Sequence, residues 1–266
     1  MDGWLFGIGL FRRSLEERAF EERRLKTARI RSLFQNHGFK LVFQPIVDMA
    51  NGTMVGAEAL SRFDAEPRRS PDLWFEEASE VGLRIELEML AVRSAIAQIG
   101  ALPEGVYLSV NVSPNTLVSD PLAECIAELP PGRIVVELTE HDIVEEPERV
   151  LAAVRRMREK GGRFAMDDVG AGFSGLSQIL QFRPNIVKLD TTLTQDISSD
   201  HVRQSLISAV VQFAARTGTV VVAEGVETAQ DMDALCDLGI RYAQGYYFAK
   251  PGPLPLQVLT REHHNE

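Results

Sequence analysis

Hydrophobic and polar positions along residues 38–256 fall into two alternating textures. Short apolar runs have the length of strands: Lys40–Val47, Met54–Leu60, Val106–Val110, Ile134–Leu138, Arg163–Met166, Ile186–Leu189, Val220–Ala223 and Ala243–Phe248. Between most of them lie longer amphipathic stretches that predict helices: Trp74–Ile99, Pro121–Leu129, Pro147–Lys160, Gly175–Gln181, Val202–Thr217 and Ala229–Leu238. Only Asp48–Thr53 joins the first two runs, and its Asn51-Gly52 pair favours a hairpin, so the first strand is expected antiparallel to the second. The rest repeats strand and helix, which predicts a parallel sheet covered by helices. Eight strands predict closure into an α/β barrel.

Residues 12–36 have a different texture, dense in Arg and Glu with Leu15, Phe20, Leu25, Ile30 and Leu33 scattered among them. No Pro or Gly breaks the run, so it predicts a helix, with apolar spacing too irregular for a coiled coil. It reads either as a solvated helix leading into the barrel or as the stub of a signalling linker from an upstream sensor domain. The apolar Trp4–Phe11 is too short to span a bilayer and is interrupted by Gly3, Gly7 and Gly9. It also lacks the basic start and cleavage site of a signal peptide, so no membrane contact is expected. The expected organisation is an apolar stub and charged helix over 1–37, one domain over 38–256 and a polar tail over 257–266.

Composition narrows the classes. Hydrophobic residues make up 45% and charged residues 25% of the chain, so a packed globule is expected rather than disorder. The net charge of −10 argues against binding a DNA or RNA duplex, which needs a basic surface. An anionic ligand stays admissible, because bound cations reverse the local field. The two cysteines, Cys125 and Cys236, show no metal or redox spacing and read as buried thiols in a reducing, cytoplasmic setting.

The candidate chemistry stands at the strand ends. Glu58 lies near the end of the second run, Asn111 ends the third and Glu137 ends the fourth. Asp167-Asp168 follow the fifth, Lys188 is in the sixth, Glu224 follows the seventh and Gln244 is in the eighth. In a (β/α) barrel such positions converge on one mouth. Five carboxylates gathered there, with Glu140 and Glu227 close by, cannot all stay ionised unless cations offset them. An oxygen-rich set without thiol or imidazole suits Mg²⁺ or Mn²⁺. The adjacent aspartates can serve two ions, as in in-line phosphoryl displacement. Arg62 is placed as a phosphate clamp and Lys188 to orient or activate a water. One rival motif, the GxGxxG of Gly170–Gly175, would suit a dinucleotide, but four strands precede it and two aspartates adjoin it. A Gly-rich lid beside the metals fits better.

Read in order, several segments resemble the EAL family of cyclic-di-GMP phosphodiesterases. They are Phe43–Asp48, Gly56–Arg62 with its Glu58-Ala59-Leu60, Asn111–Ser113, Glu137–Glu140, Asp167–Gly172, Lys188–Asp190, Ala223–Thr228 and Gln244–Tyr246. The resemblance covers about residues 38–256 and implies a TIM-like (β/α)8 barrel with an antiparallel first strand, preceded here by the N-terminal helix. It implies that Glu58, Asn111, Glu137 and Asp167 hold one metal, and that Asp167, Asp168 and Glu224 hold a second. Lys188 would act on the attacking water, with Glu58 and Glu224 as its catalytic companions, and Arg62 on a substrate phosphate. Gln44, Leu60, Glu227 and Gln244 would line the substrate or water network. Glu140 would pin the loop Val169–Ser174, which couples the site to a homodimer interface in this family. The implied reaction opens cyclic-di-GMP to linear pGpG.

Three positions depart from the family pattern: Val169 where Phe is usual, Asn185 where Asp is common, and Arg84 at a usually apolar site. None removes a metal ligand. The competing expectation is a receptor that binds cyclic-di-GMP without hydrolysing it. A third is a protein-interaction module built on the 12–36 helix.

Overall fold

A computed structural model describes residues 2–35, 38–140, 142, 144–170 and 175–258. The strands are β1 (Phe39–Asp48), β2 (Thr53–Phe63), β3 (Tyr107–Asn111), β4 (Ile134–Thr139), β5 (Arg163–Val169), β6 (Ile186–Leu189), β7 (Val220–Ala223) and β8 (Tyr242–Ala243). The helices are α1 (Asp2–Leu33), α2 (Pro71–Glu80), α3 (Arg84–Ile96), α4 (Pro114–Leu117), α5 (Asp120–Ala127), α6 (Pro147–Glu159), α7 (Gly175–Phe182), α8 (Thr191–Thr194), α9 (His201–Thr217) and α10 (Ala229–Asp237). The strands close into a barrel in sequence order. β2 to β8 run parallel, whereas β1 meets β8 antiparallel, as the Asn51-Gly52 turn requires.

Contacts divide the chain into two compact units, Met1–Lys40 with Ser61–Leu90, and Leu41–Leu60 with Ala91–Glu266. In the first, Ile30 and Leu33 of α1 pack with Trp74, Ala78 and Leu87. Glu77, 5% exposed, is held by two guanidiniums, Arg29 at 2.7 Å and Arg69 at 2.6 Å, and Arg69 also lies 4.1 Å over the Trp74 ring. The last turns of α1 are therefore part of this core, while Phe20 and Leu25 remain exposed. In the second unit, one inward layer of the barrel is apolar: Ile46, Tyr107, Val135, Ala165, Ile186 and Val222, with Val55, Val220 and Tyr242 packed against it.

Four sequence expectations are corrected. The stretch Trp74–Ile99 is two helices, because Gly82 (φ 76°) ends α2 with a left-handed cap in which Leu83 N–H reaches the Ala78 carbonyl at 2.7 Å. The run Ala243–Phe248 is a strand only at its start. Beyond it the chain turns, with Phe248 and Ala249 N–H both bonded to the Gly245 carbonyl. A Cβ at Gly245 would overlap the Val226 backbone, so only glycine fits in this turn. The helix expected over 12–36 begins earlier and ends sooner, α1 running from Asp2 to Leu33. Cys125 and Cys236 are half-buried rather than buried, and Cys236 Sγ lies 4.0 Å from Met49 Sδ. Among the described residues no helix is long and apolar enough to cross a membrane.

Candidate metal centre

Successive inward positions along a strand are two residues apart. One step beyond the apolar layer, Tyr107, Val135, Ala165, Ile186, Val222 and Tyr242 therefore give way to Ser109, Glu137, Asp167, Lys188, Glu224 and Gln244. On antiparallel β1 the step runs backwards, from Ile46 to Gln44. Glu58 completes the ring, opposite Ser109 in the β2–β3 register. The chain thus places one polar side chain from or just beyond each strand at a single level of the barrel. Asn111 stands one level higher on β3, in register with Glu137.

Lys188 is at the centre, with no exposed surface. Its ammonium lies 3.2 Å from Glu58 Oε2, 3.1 Å from Glu137 Oε2, 3.1 Å from Asp167 Oδ1 and 2.7 Å from Glu224 Oε1. Asn111 Nδ2 donates to Glu58 Oε1 at 2.7 Å, and Gln244 Nε2 donates to Glu58 Oε2 at 2.7 Å and to Gln44 Oε1 at 3.0 Å. Gln44 in turn donates to the Ala249 carbonyl at 3.2 Å. The Ser109 hydroxyl donates to Glu137 Oε1. The Thr194 hydroxyl donates to the Glu224 carbonyl.

Asp167 and Asp168 are neighbours in a strand and would ordinarily face opposite ways. A bulge prevents this: Met166 pairs with Val187 and Val169 with Leu189, so β5 carries one more residue than β6 between those pairs. Asp168 takes up the excess at φ 55°, a left-handed conformation that Asp tolerates better than most residues. Both carboxylates consequently join one group. Carboxylate oxygens of Glu58, Glu137 and Asp167 lie within 4.8 Å of one another, as do those of Asp167, Asp168 and Glu224.

One ammonium does not balance this charge. Burial, with repulsion from Glu58 and Asp167 added, pushes Glu137 up to about 8 despite Lys188 and Ser109. Burial also raises Asp167, with Glu58 adding to it, and raises Glu224 well above the usual carboxylate range, with Asp167 and Glu58 adding to it. For Glu58, burial pushes upward, but Lys188 and the hydrogen bonds from Gln244 and Asn111 outweigh it and hold the group below its ordinary value. Burial opposes the charge on Lys188, yet the surrounding acids raise it well above an ordinary lysine. Burial and mutual repulsion therefore favour the protonated forms of Glu137, Asp167 and Glu224.

The remaining sequence candidates are placed less centrally. Glu140 is buried, and its Oε2 accepts the Gly170 N–H at 3.2 Å, at the start of the Gly-rich loop. Residues 171–174 of that loop lie outside the described residues. Val169, the departure from the family pattern, is a buried strand end paired with Leu189. Asn185, the second, caps the start of β5, accepting Phe164 N–H at 3.0 Å and Arg158 Nε at 3.2 Å. Arg84, the third, pairs with Glu88 at 2.6 Å in the first unit. Leu60 is half-buried on β2, and Glu227 is exposed in the turn after β7, outside both carboxylate groups. Arg62 belongs to the first unit, where its guanidinium donates to the Ser61 carbonyl at 2.8 Å. Ser109 lies inside β3 rather than at its end and carries no charge, so the strand-end pattern does not mark it. The signal that finds it is the two-residue step from Tyr107.

A family model described as EAL domain matches residues 27–251. The chain is 34% identical over 233 residues to the cyclic di-GMP phosphodiesterase RocR of Pseudomonas aeruginosa, covering 82% of this chain and 58% of that protein. It thus spans well under two thirds of that relative's length. Among solved structures it is similar to the EAL enzyme Bd1971 in its cAMP- and cyclic-di-GMP-bound form, with TM-score 0.79 and 27% identity over 92% of this chain and 70% of that one. It is also similar to the manganese/cyclic-di-GMP complex of Klebsiella pneumoniae BlrP1, with TM-score 0.73 and 30% identity over 82% of this chain and 57% of that one.

Proposed function

The chain belongs to the EAL-domain family, and from that premise we propose that it hydrolyses cyclic-di-GMP to linear pGpG with two divalent cations, Mg²⁺ or Mn²⁺. The observation that carries this is the convergence of Glu58, Glu137, Asp167 and Glu224 on the buried Lys188. The donor set fits such ions. It is oxygen-based, it carries more negative charge than Lys188 offsets, and its two carboxylate groups share Asp167. Glu58, Asn111, Glu137 and Asp167 would hold one ion, and Asp167, Asp168 and Glu224 the other. When bound, such ions supply positive charge to the phosphate and acidify a coordinated water.

The chain's own groups do the rest. Lys188 keeps its proton among the acids, so it donates a hydrogen bond and orients the attacking water rather than taking a proton from it. Glu58 and Glu224 fix that ammonium from two strands. Gln244 braces Glu58 and also bonds Gln44, and with Leu60 and Glu227 these two line the path of substrate and water. Arg62 meets a substrate phosphate. The water oxygen bonds to phosphorus, the bond from phosphorus to the ribose 3′ oxygen breaks, and that oxygen leaves with a proton. A homodimer, with Glu140 anchoring the loop after β5, and a cytoplasmic location complete the proposal on family grounds.

The test is incubation of the purified chain with cyclic-di-GMP and Mn²⁺, followed by separation of the nucleotides. Appearance of pGpG supports the proposal. Its absence across a range of protein concentrations, with tight binding and intact nucleotide recovered, would identify a receptor instead.

A further inference from the structure

Seven of the eight side chains in the polar layer are candidates from the sequence, and the eighth is Ser109. It has no exposed surface, faces Glu58 across β2–β3 and Val135 across β3–β4, and its hydroxyl donates to Glu137 Oε1. The opposite oxygen, Oε2, faces Lys188 at 3.1 Å. Lys188 is shared with Glu58, Asp167 and Glu224, so it does not by itself fix how the Glu137 carboxylate is turned. Ser109 bonds to none of the other acids of the cluster.

We infer that Ser109 is a positioning residue for Glu137: it commits one carboxylate oxygen and so keeps the other turned to the centre of the cluster, where a divalent cation would be held. The inference rests on the metal-dependent reading above and deepens it. Without the hydroxyl, Oε1 would be a buried acceptor lacking its donor, and rotation of the carboxylate would relieve that at the expense of the orientation of Oε2. A packing role alone predicts otherwise, because Ser109→Ala removes a single oxygen and leaves the strand's fit nearly unchanged.

The experiment is calorimetric titration of the metal-free full chain with Mn²⁺, alongside thermal unfolding of each variant. Ser109→Ala should bind Mn²⁺ about tenfold or more weakly, in the range that outer partners of metal ligands command. Its unfolding midpoint without metal should stay near wild type. The Mn²⁺ concentration for half-maximal turnover should move up by the same factor. Ser109→Cys keeps the shape with a weaker donor and should also bind more weakly. It carries the test if the alanine variant does not fold. Wild-type Mn²⁺ affinity in whichever variant folds would overturn the positioning role. Failure of the wild-type chain itself to bind Mn²⁺ would overturn the metal-dependent reading, and the positioning role with it.

Discussion

Metal binding to this cluster should be strongly pH-dependent and should release protons. Glu137 is pushed up to about 8 by burial and by its acidic neighbours, and a carboxyl must be ionised to ligate a cation. A group with that pKa is ionised in roughly one molecule of eleven at pH 7, which costs about 1.4 kcal/mol and weakens apparent affinity about tenfold. At pH 6 the penalty is about a hundredfold, and above pH 8 it fades. Mn²⁺ affinity should therefore climb about tenfold per unit from pH 6 to 7 and level off beyond pH 8. Asp167 and Glu224, also raised, steepen the climb. Calorimetry at several pH values in buffers of different ionisation enthalpy measures both quantities. At pH 7 Glu137 alone should contribute about 0.9 proton released. Equal affinity at pH 6 and pH 8, with heats independent of buffer, would refute the reasoning.

The same shift acts on folding. Glu137 has a raised native pKa, so between its unfolded value and about 8 the native state holds a proton that the unfolded chain has released. The contribution is fully present at lower pH and is lost as pH rises through that window, by up to about 1.4 kcal/mol per unit. Lys188 is charged in both states there and adds no slope. The metal-free protein should melt at lower temperature at pH 8 than at pH 6, and saturating Mn²⁺ should remove most of the difference.

Glu58→Ala and Asp167→Asn should each abolish pGpG formation, since the first removes a carboxylate from one group and the second removes the carboxylate that both groups share; wild-type rates in both would show that the site is elsewhere. Lys188→Ala should lower kcat at least about a hundredfold with little change in cyclic-di-GMP affinity, read by steady-state kinetics and equilibrium binding. A large change in affinity would place Lys188 on the substrate instead. Arg69→Ala should destabilise the fold by about 3 kcal/mol, because it leaves buried Glu77 with Arg29 alone and uncovers Trp74. A denaturant midpoint unchanged from wild type would count against that ion pair.

Local rules made much of this protein legible. The turn carrying Asn51-Gly52 specified the antiparallel first strand, because the four residues between Asp48 and Thr53 are too few for a crossover to a parallel strand. The strand–helix alternation specified the barrel. The acids at the strand ends marked one clustered site, because so much negative charge gathered at one mouth calls for offsetting charge. Other features are set by distance in space rather than in sequence. The split at Gly82 depends on a left-handed cap, and the turn after β8 on the close approach of Gly245 to the Val226 backbone. The joint orientation of Asp167 and Asp168 depends on a bulge counted against β6.

Ser109 shows the difference most clearly. By itself it is a small polar residue inside an apolar strand, with nothing to distinguish it from a filler. The hydrophobic pattern alone determined that some residue of β3 would point inward at that level. Only the pairing of β3 with β4 put Glu137 against the hydroxyl, and only the curvature of the barrel brought Lys188 of β6 to the far side of that carboxylate. Side-chain period and turn chemistry act over a few residues and are written in the sequence. The partners of a buried charge come from strands far apart in the chain, so they are decided only when the sheet closes and water is excluded.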